Sequence, residues 1–223
     1  MTPVLETEDI GYRYPGAAKD APAVLRGVNL RVQDGECVGL VGRNGSGKST
    51  LLKVLASLLR PTSGKIRHRG RVVTPNDRGY RSVLNYCAGA PQGFYPRLTA
   101  VENLRFFSGM KGRMCSRAQA LDLLERVDLA ASADVVYSKF SLGMRQRTHL
   151  ACLLLEPSQI WILDEPTTGL DTEGVEILRD ILGSARDKTR LVVTHDSEFL
   201  RGVTSRQLNL HEGTLTCPDS SSS

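Results

Sequence analysis

The chain has 223 residues, of which 24% are charged and 40% hydrophobic, with a net charge of +5 and a pI near 9.1. That length suits one domain with a sizeable core or two small ones, and the composition excludes disordered and fibrous classes. No apolar run reaches the roughly 20 residues that span a bilayer, and the basic clusters at 67–71 and 186–190 lack the interleaved aromatics of a nucleic-acid surface, so no nucleic-acid partner is expected.

The N-terminal stretch M-T-P-V-L-E-T-E-D is acidic and lacks the basic and apolar regions of a signal peptide. A cytosolic chain is expected, with any membrane role coming through a partner. Cysteines 37, 87, 115, 152 and 217 show no C-x-x-C pairing. Cys37 and Cys152 fall inside apolar patterns and are expected as buried, reduced thiols.

Residues 4–14 read as a strand ending in Y-R-Y-P-G, followed by a Pro/Ala/Gly-rich turn at 15–23. Val28, Leu30 and Val32 alternate with polar residues, and Asp34-Gly35 turns the chain again. These segments predict a small antiparallel layer. Tyr12 and Tyr14 within it are each able to pack under a sheet or to stack on an adenine ring.

Next comes an apolar run, Val38 to Val41, that breaks into G-R-N-G-S-G-K-S-T. A helix pattern follows, with Leu51, Leu52, Val54, Leu55, Leu58 and Leu59 apolar, and it stops at Arg60-Pro61. The glycine-rich stretch fits G-x-x-x-x-G-K-[ST] through Gly42, Gly47, Lys48 and Ser49. Glycines let successive N–H groups of Gly42, Arg43, Asn44, Gly45, Ser46, Gly47, Lys48, Ser49 and Thr50 turn inward around phosphate oxygens. The helix that starts there points its positive end at the same anion. Lys48 is placed for the β- and γ-phosphates and the Ser49 hydroxyl for Mg²⁺. A Rossmann site is disfavoured, because Thr50 stands where its third glycine belongs. A nucleoside triphosphate site is expected.

T-S-G-K leads into a strand near 65–73, and the polar residues 74–82 read as loop. T-A-V-E at 99–102 and S-R-A-Q at 116–119 are capping boxes that open helices, and Ser141 begins a third helix ending at Glu156-Pro157. Q-I-W-I-L at 159–163 is a buried strand, V-E-I-L-R-D-I-L at 175–182 an amphipathic helix, and L-V-V-T at 191–194 another buried strand. A hairpin turns at Glu212-Gly213, and the tail 217–223 is expected to be disordered. Apolar strands without alternation predict an α/β fold with a parallel sheet covered by helices. One domain is expected over 1–216, with its α/β core from 1–85 and 157–216 and an inserted helical block at 86–156.

The strand I-W-I-L ends in Asp164-Glu165. Ligands of open parallel sheets bind at the carboxyl ends of strands, so Asp164 is placed to hold Mg²⁺ and Glu165 to orient or deprotonate an attacking water.

Together, the phosphate loop, F-S-L-G-M-R-Q-R at 140–147, W-I-L-D-E-P-T-T-G-L-D at 161–171 and V-V-T-H-D at 192–196 resemble the ATP-binding-cassette (ABC) ATPases over essentially the whole chain. Y-P-R-L-T-A-V-E-N-L-R-F-F at 95–107 resembles the subset that powers exporter-type permeases. The resemblance implies a P-loop NTPase (RecA-like) core with an antiparallel β subdomain and an inserted helical subdomain. It implies an ATPase that uses Mg²⁺ and pairs with itself or a homologous ATPase subunit around two ATPs. A separate integral-membrane permease would be driven by that pair, which places the chain at the inner face of the cell membrane.

Residue by residue, it implies that Ser141 and Gly143 cap the γ-phosphate held by the other subunit, with Leu142 and Met144 departing from the commoner Gly and Gln. Asp171 matches the loop that crosses the dimer interface, His195 the switch histidine at the γ-phosphate, and Tyr14 the adenine-stacking aromatic. The family's glutamine before the helical block falls, ungapped, on Ala90, with Gln92 two residues on. The rival readings are a cytosolic ABC-type ATPase acting on DNA or ribosomes, whose relatives generally carry coiled-coil insertions, zinc modules or linked cassettes, and a P-loop kinase, which leaves the signature and His195 unexplained.

Overall fold

The computed structural model describes residues 2–16, 18, 22–89, 93–155 and 157–216. Ala90 and Gln92, the two candidates for the family glutamine, lie outside the described residues, as do Cys217 and the rest of the tail. The chain divides into two compact units, Met1–Tyr86 with Ser158–Asp164 and Ala185–Ser223, and Cys87–Pro157 with Glu165–Ser184.

The first unit opens with β1 (Leu5–Tyr12) and β2 (Leu25–Val32), then β3 (Cys37–Val41), α1 (Lys48–Leu55), β4 (Ser63–His68) and β5 (Arg71–Val73). The short helix α2 (Arg78–Ser82) leads to β6 (Leu84–Ala88), whose last two residues pass into the second unit. The second unit contains α3 (Ala100–Met110), α4 (Arg117–Glu125), α5 (Leu142–Leu155) and α6 (Thr172–Ser184). Back in the first unit are β7 (Ile160–Asp164), β8 (Thr189–Val193), α7 (Ser197–Val203), β9 (Arg206–His211) and β10 (Thr214–Thr216).

Two sheets build the first unit. The antiparallel one runs β2-β1-β4-β5, and the other runs β10-β9-β3-β8-β7-β6, with β9, β3, β8 and β7 mutually parallel. All five residues of β7 and of β8 are buried, as expected for central parallel strands covered on both faces. Leu51, Leu52, Val54 and Leu55 of α1 share one apolar cluster with Val38 and Leu40 of β3, Ile160 and Ile162 of β7, Leu191 and Val193 of β8, and the inner face of β1 and β2. One core therefore fastens the phosphate-loop helix to the strands around it.

The structure departs from the expected elements at four places. The strand expected near 65–73 is a hairpin, turned by Arg69 and Gly70, both with positive φ. The helix expected to run to Arg60 ends at Leu55, and Ser57 adopts a φ of 59° just beyond it. The expected loop 74–82 contains α2, capped by the Asp77 carboxylate, which accepts from the Tyr80 N–H. Cys37 is buried, with its thiol pKa pushed up to about 11 chiefly by burial, whereas Cys152 is only half-buried.

In the second unit both capping boxes form as expected: Thr99 with Glu102 opens α3, and Ser116 with Gln119 opens α4. Leu104, Leu124, Leu150, Leu153 and Leu178 are buried there. His149 of α5 lies with Nδ1 at 3.7 Å from Cys87 Sγ and edge-on to the Phe94 ring at 5.9 Å. Burial pushes the His149 pKa down to about 4. The unfolded chain takes up this proton near pH 6.5 and the folded chain only near 4, so the unfolded state binds more protons between those values and stability falls as pH drops through them. His68, lowered first by burial and then by Arg69 and Arg71, adds the same sign. Urea midpoints should therefore fall between pH 7 and pH 5, and fall less in His149→Gln. A variant as steep as the parent would contradict a neutral buried ring.

Candidate nucleotide site

The register of the parallel sheet decides which side chains meet. Val193 of β8 pairs with Leu40 of β3 on one side and with Asp164 of β7 on the other. The carboxyl ends of the three strands are thus level. The loop after β3, the turn after β8 that carries His195, and Asp164 all leave from one edge of the sheet.

The loop itself needs glycine at two positions. Gly42 has a φ of 150°, and a Cβ there would stand 2.3 Å from the Leu210 carbonyl oxygen. Gly47, the residue capping α1, has a φ of 102°, with the Val24 carbonyl oxygen 2.9 Å from where a Cβ would be. Lys48 is buried, and its Nζ donates to the carbonyls of Gly42 and Arg43 at 2.7 and 3.0 Å, so the ammonium lies folded back over its own loop. The Ser46 Oγ is buried and has no partner among the described residues. A buried hydroxyl left unbonded costs stability unless a ligand completes it. Together with the N-terminus of α1, these features suit an anion.

Beside the loop, the Ser49 hydroxyl donates to Asp164 Oδ1 at 2.9 Å, and the Tyr86 hydroxyl donates to Asp164 Oδ2 at 3.1 Å. Asp164 is buried. Hydroxyl and carboxylate oxygens of this kind are the donor set a hard divalent cation takes. Tyr86 was not anticipated from sequence. It lies just beyond the polar stretch 74–82, and only the sheet order puts β6 next to β7.

Tyr12 and Tyr14 separate cleanly. Tyr12 is 4% exposed in the core, whereas Tyr14 is 46% exposed, meets the Tyr12 ring edge-on at 5.0 Å, and is hydrogen-bonded through its hydroxyl to Thr50 Oγ1 at 3.0 Å. The Tyr14 ring is therefore held at the start of α1 and stays partly exposed. His195 is exposed on its turn, just before Asp196, whose carboxylate accepts from the Phe199 N–H and caps α7. Within the first unit, hydrogen bonds join Tyr14 to Thr50 and Ser49 to Asp164, and His195 lies on the turn that leaves the same edge of the sheet.

The remaining candidates belong to the second unit. Glu165, half-buried, adopts a φ of 55°, a left-handed conformation that costs a side-chain-bearing residue about 1 kcal/mol or more. Ser141 is exposed and caps α5, its Oγ accepting from the Met144 N–H at 3.2 Å. Gly143 follows in the first turn, where a Cβ would come 3.4 Å from the Gly169 carbonyl oxygen. Asp171 is exposed, and its Oδ1 accepts from the Gly174 N–H at 2.8 Å at the start of α6. Sequence reasoning did not single out Gln146 and Arg147, which follow on α5 and are buried. The period of an isolated helix says nothing about which turn it will meet.

Residues 25–168 match a family model described as ABC transporter. The chain is 39% identical over 189 residues to the cytochrome c biogenesis ATP-binding export protein CcmA of Methylococcus capsulatus, covering 84% of this chain and 90% of that one. It is 33% identical over 209 residues to the ABC transporter ATP-binding protein NatA of Bacillus subtilis, covering 92% and 85%. Among solved structures, the ATP-binding cassette MJ0796, a dimer in a post-hydrolysis state with ADP and Pi, superposes with a TM-score of 0.82 at 26% identity, covering 96% of this chain and 98% of that one.

The two tyrosines give a direct check on the site. Tyr12→Ala should cost about 3–5 kcal/mol of stability by emptying a core position. Tyr14→Ala should leave the melting temperature nearly unchanged while weakening ATP more than inorganic triphosphate in a binding titration. Equal weakening of both ligands would contradict a stacking role.

Proposed function

The chain belongs to the ABC transporter family, and from its site we propose that it is the ATP-hydrolysing subunit of an export transporter, acting in pairs. The observation that carries this reading is the Lys48, Ser49 and Asp164 constellation at one edge of the parallel sheet, with an unbonded Ser46 hydroxyl beside it. In this reading the loop N–H groups and the α1 terminus bind the phosphates, and Lys48 exchanges its two loop carbonyls for phosphate oxygens. Tyr14 stacks on the adenine. Ser49 and Asp164 would hold Mg²⁺, which when bound would neutralise phosphate charge. Glu165 orients and deprotonates the attacking water, and His195 holds that water against the γ-phosphate.

Ser141 and Gly143 close the site of a second chain, itself or a homologue, because a helix N-terminus bearing a serine is an anion-binding end. Asp171 crosses between the two. Nucleotide binding would close the pair and hydrolysis reopen it. Among the described residues no helix is long and apolar enough to cross a membrane. The reading assigns the transport path to a separate integral-membrane permease, with this chain peripheral on the inner face of the cell membrane. The names of the relatives CcmA and NatA, an export protein and a transporter ATP-binding protein, support a transport role over one on DNA or ribosomes.

Glu165→Gln should slow ATP turnover by roughly 10²- to 10⁴-fold, the usual contribution of a general base, and leave ATP binding intact. Turnover is measured as phosphate release and binding with a fluorescent ATP analogue. Turnover within a few-fold of the parent would refute the role assigned to Glu165.

A further inference from the structure

Within the second unit, α5 meets the turn 165–171 at three successive levels. At the first, Gly169 lies against Leu142, so close that a Cβ on Gly169 would come within 2.9 Å of the Leu142 side chain. At the second, the fully buried Gln146 donates through Nε2 to the Pro166 carbonyl at 3.1 Å. At the third, Arg147 reaches two carboxylates, donating through one terminal nitrogen to Asp128 Oδ2 at 2.8 Å and through the other to Asp171 Oδ2 at 3.4 Å.

The arrangement around Arg147 is asymmetric. Its side chain is only 10% exposed, whereas those of Asp128 and Asp171 are 66% and 60% exposed. The guanidinium Nε is buried with no partner among the described residues. A cation removed from water needs its counter-charges far more than two hydrated carboxylates need it. The planar fork of an arginine can serve two carboxylates at once, which a lysine's single ammonium cannot do with the same geometry. Both anions also sit at turns whose backbone is set locally: Asp128 has a φ of 52°, and Asp171 caps α6 through the Gly174 N–H. Arg147 is therefore a buried charge that ties the helix beginning at Ser141 to the turn carrying Asp171.

We propose that Arg147 is a positioning residue for the two-chain nucleotide site, fixing Ser141 and Asp171 in one rigid element so that both meet the facing chain together. This rests on the paired-subunit reading above. Nucleotide held by a single chain involves the other unit's loop, so Arg147 should act on pairing and turnover rather than on first binding of ATP.

The test uses the full chain in a Glu165→Gln background, reading ATP-dependent association by analytical ultracentrifugation beside binding of a fluorescent ATP analogue. Arg147→Met should raise the ATP concentration needed for half-association by about tenfold, the scale of one lost charge-assisted hydrogen bond, with analogue binding unchanged. Arg147→Lys should recover only part of it. Should Arg147→Met fold poorly, Asp128→Asn supplies the second variant: it should weaken association on its own and add nothing in the Arg147→Met background. If these variants lower the melting temperature but leave the association midpoint where it was, Arg147 is a stabilising residue only and the proposal is overturned. If the Glu165→Gln parent itself does not associate with ATP, the paired-subunit reading falls and this inference falls with it.

Discussion

Backbone pairing across β8 is the constraint from which the rest follows. Val193 is shared between Leu40 and Asp164, and three parallel strands therefore finish level. A slip of one residue in either ladder would turn Asp164 to the opposite face of the sheet and carry it away from Ser49. The fully buried strands β7 and β8 hold that register, because a slipped alternative would misplace buried Val, Ile and Leu side chains. The level edge that carries the candidate site is thus a consequence of core packing. The candidate residues need only lie at or shortly beyond the strand ends, with Asp164 closing β7 and His195 following the end of β8.

Charge is handled differently in the two units. In the first, the site keeps polar groups buried and close to incomplete: a folded-back Lys48, an unbonded Ser46 hydroxyl, and an Asp164 bonded to two hydroxyls. Such groups gain when a polyanion and its cation arrive. In the second, α5 and the turn 165–171 are locked by glycine-close packing, a buried amide and a buried arginine. Under the proposed paired reading, the first unit would accept the nucleotide and the second would present a fixed surface to the facing chain.

Much of this was legible in the sequence for physical reasons. Short apolar runs identified β3, β7 and β8, and the phosphate loop announced itself because glycine and lysine at that spacing have few other uses. The capping boxes at Thr99 and Ser116 gave helix starts to the residue, since the same side chains that mark the cap make the bonds. What escaped was decided by tertiary contact. Residues 74–82 are too polar to read as containing α2, yet Tyr80 is fully buried there and donates to the Leu55 carbonyl at 2.7 Å. Tyr86 at Asp164, and Arg147 between Asp128 and Asp171, join residues 78, 19 and 24 positions apart, which no periodicity links.

The central claim is that one chain cannot complete its own nucleotide site. The most direct measurement is ATP turnover per chain as a function of chain concentration at saturating Mg-ATP. The account predicts that turnover per chain rises with concentration, with second-order dependence at high dilution, and reaches a plateau as pairs form. A rate per chain that stays constant down to concentrations where sedimentation shows only single chains would contradict it.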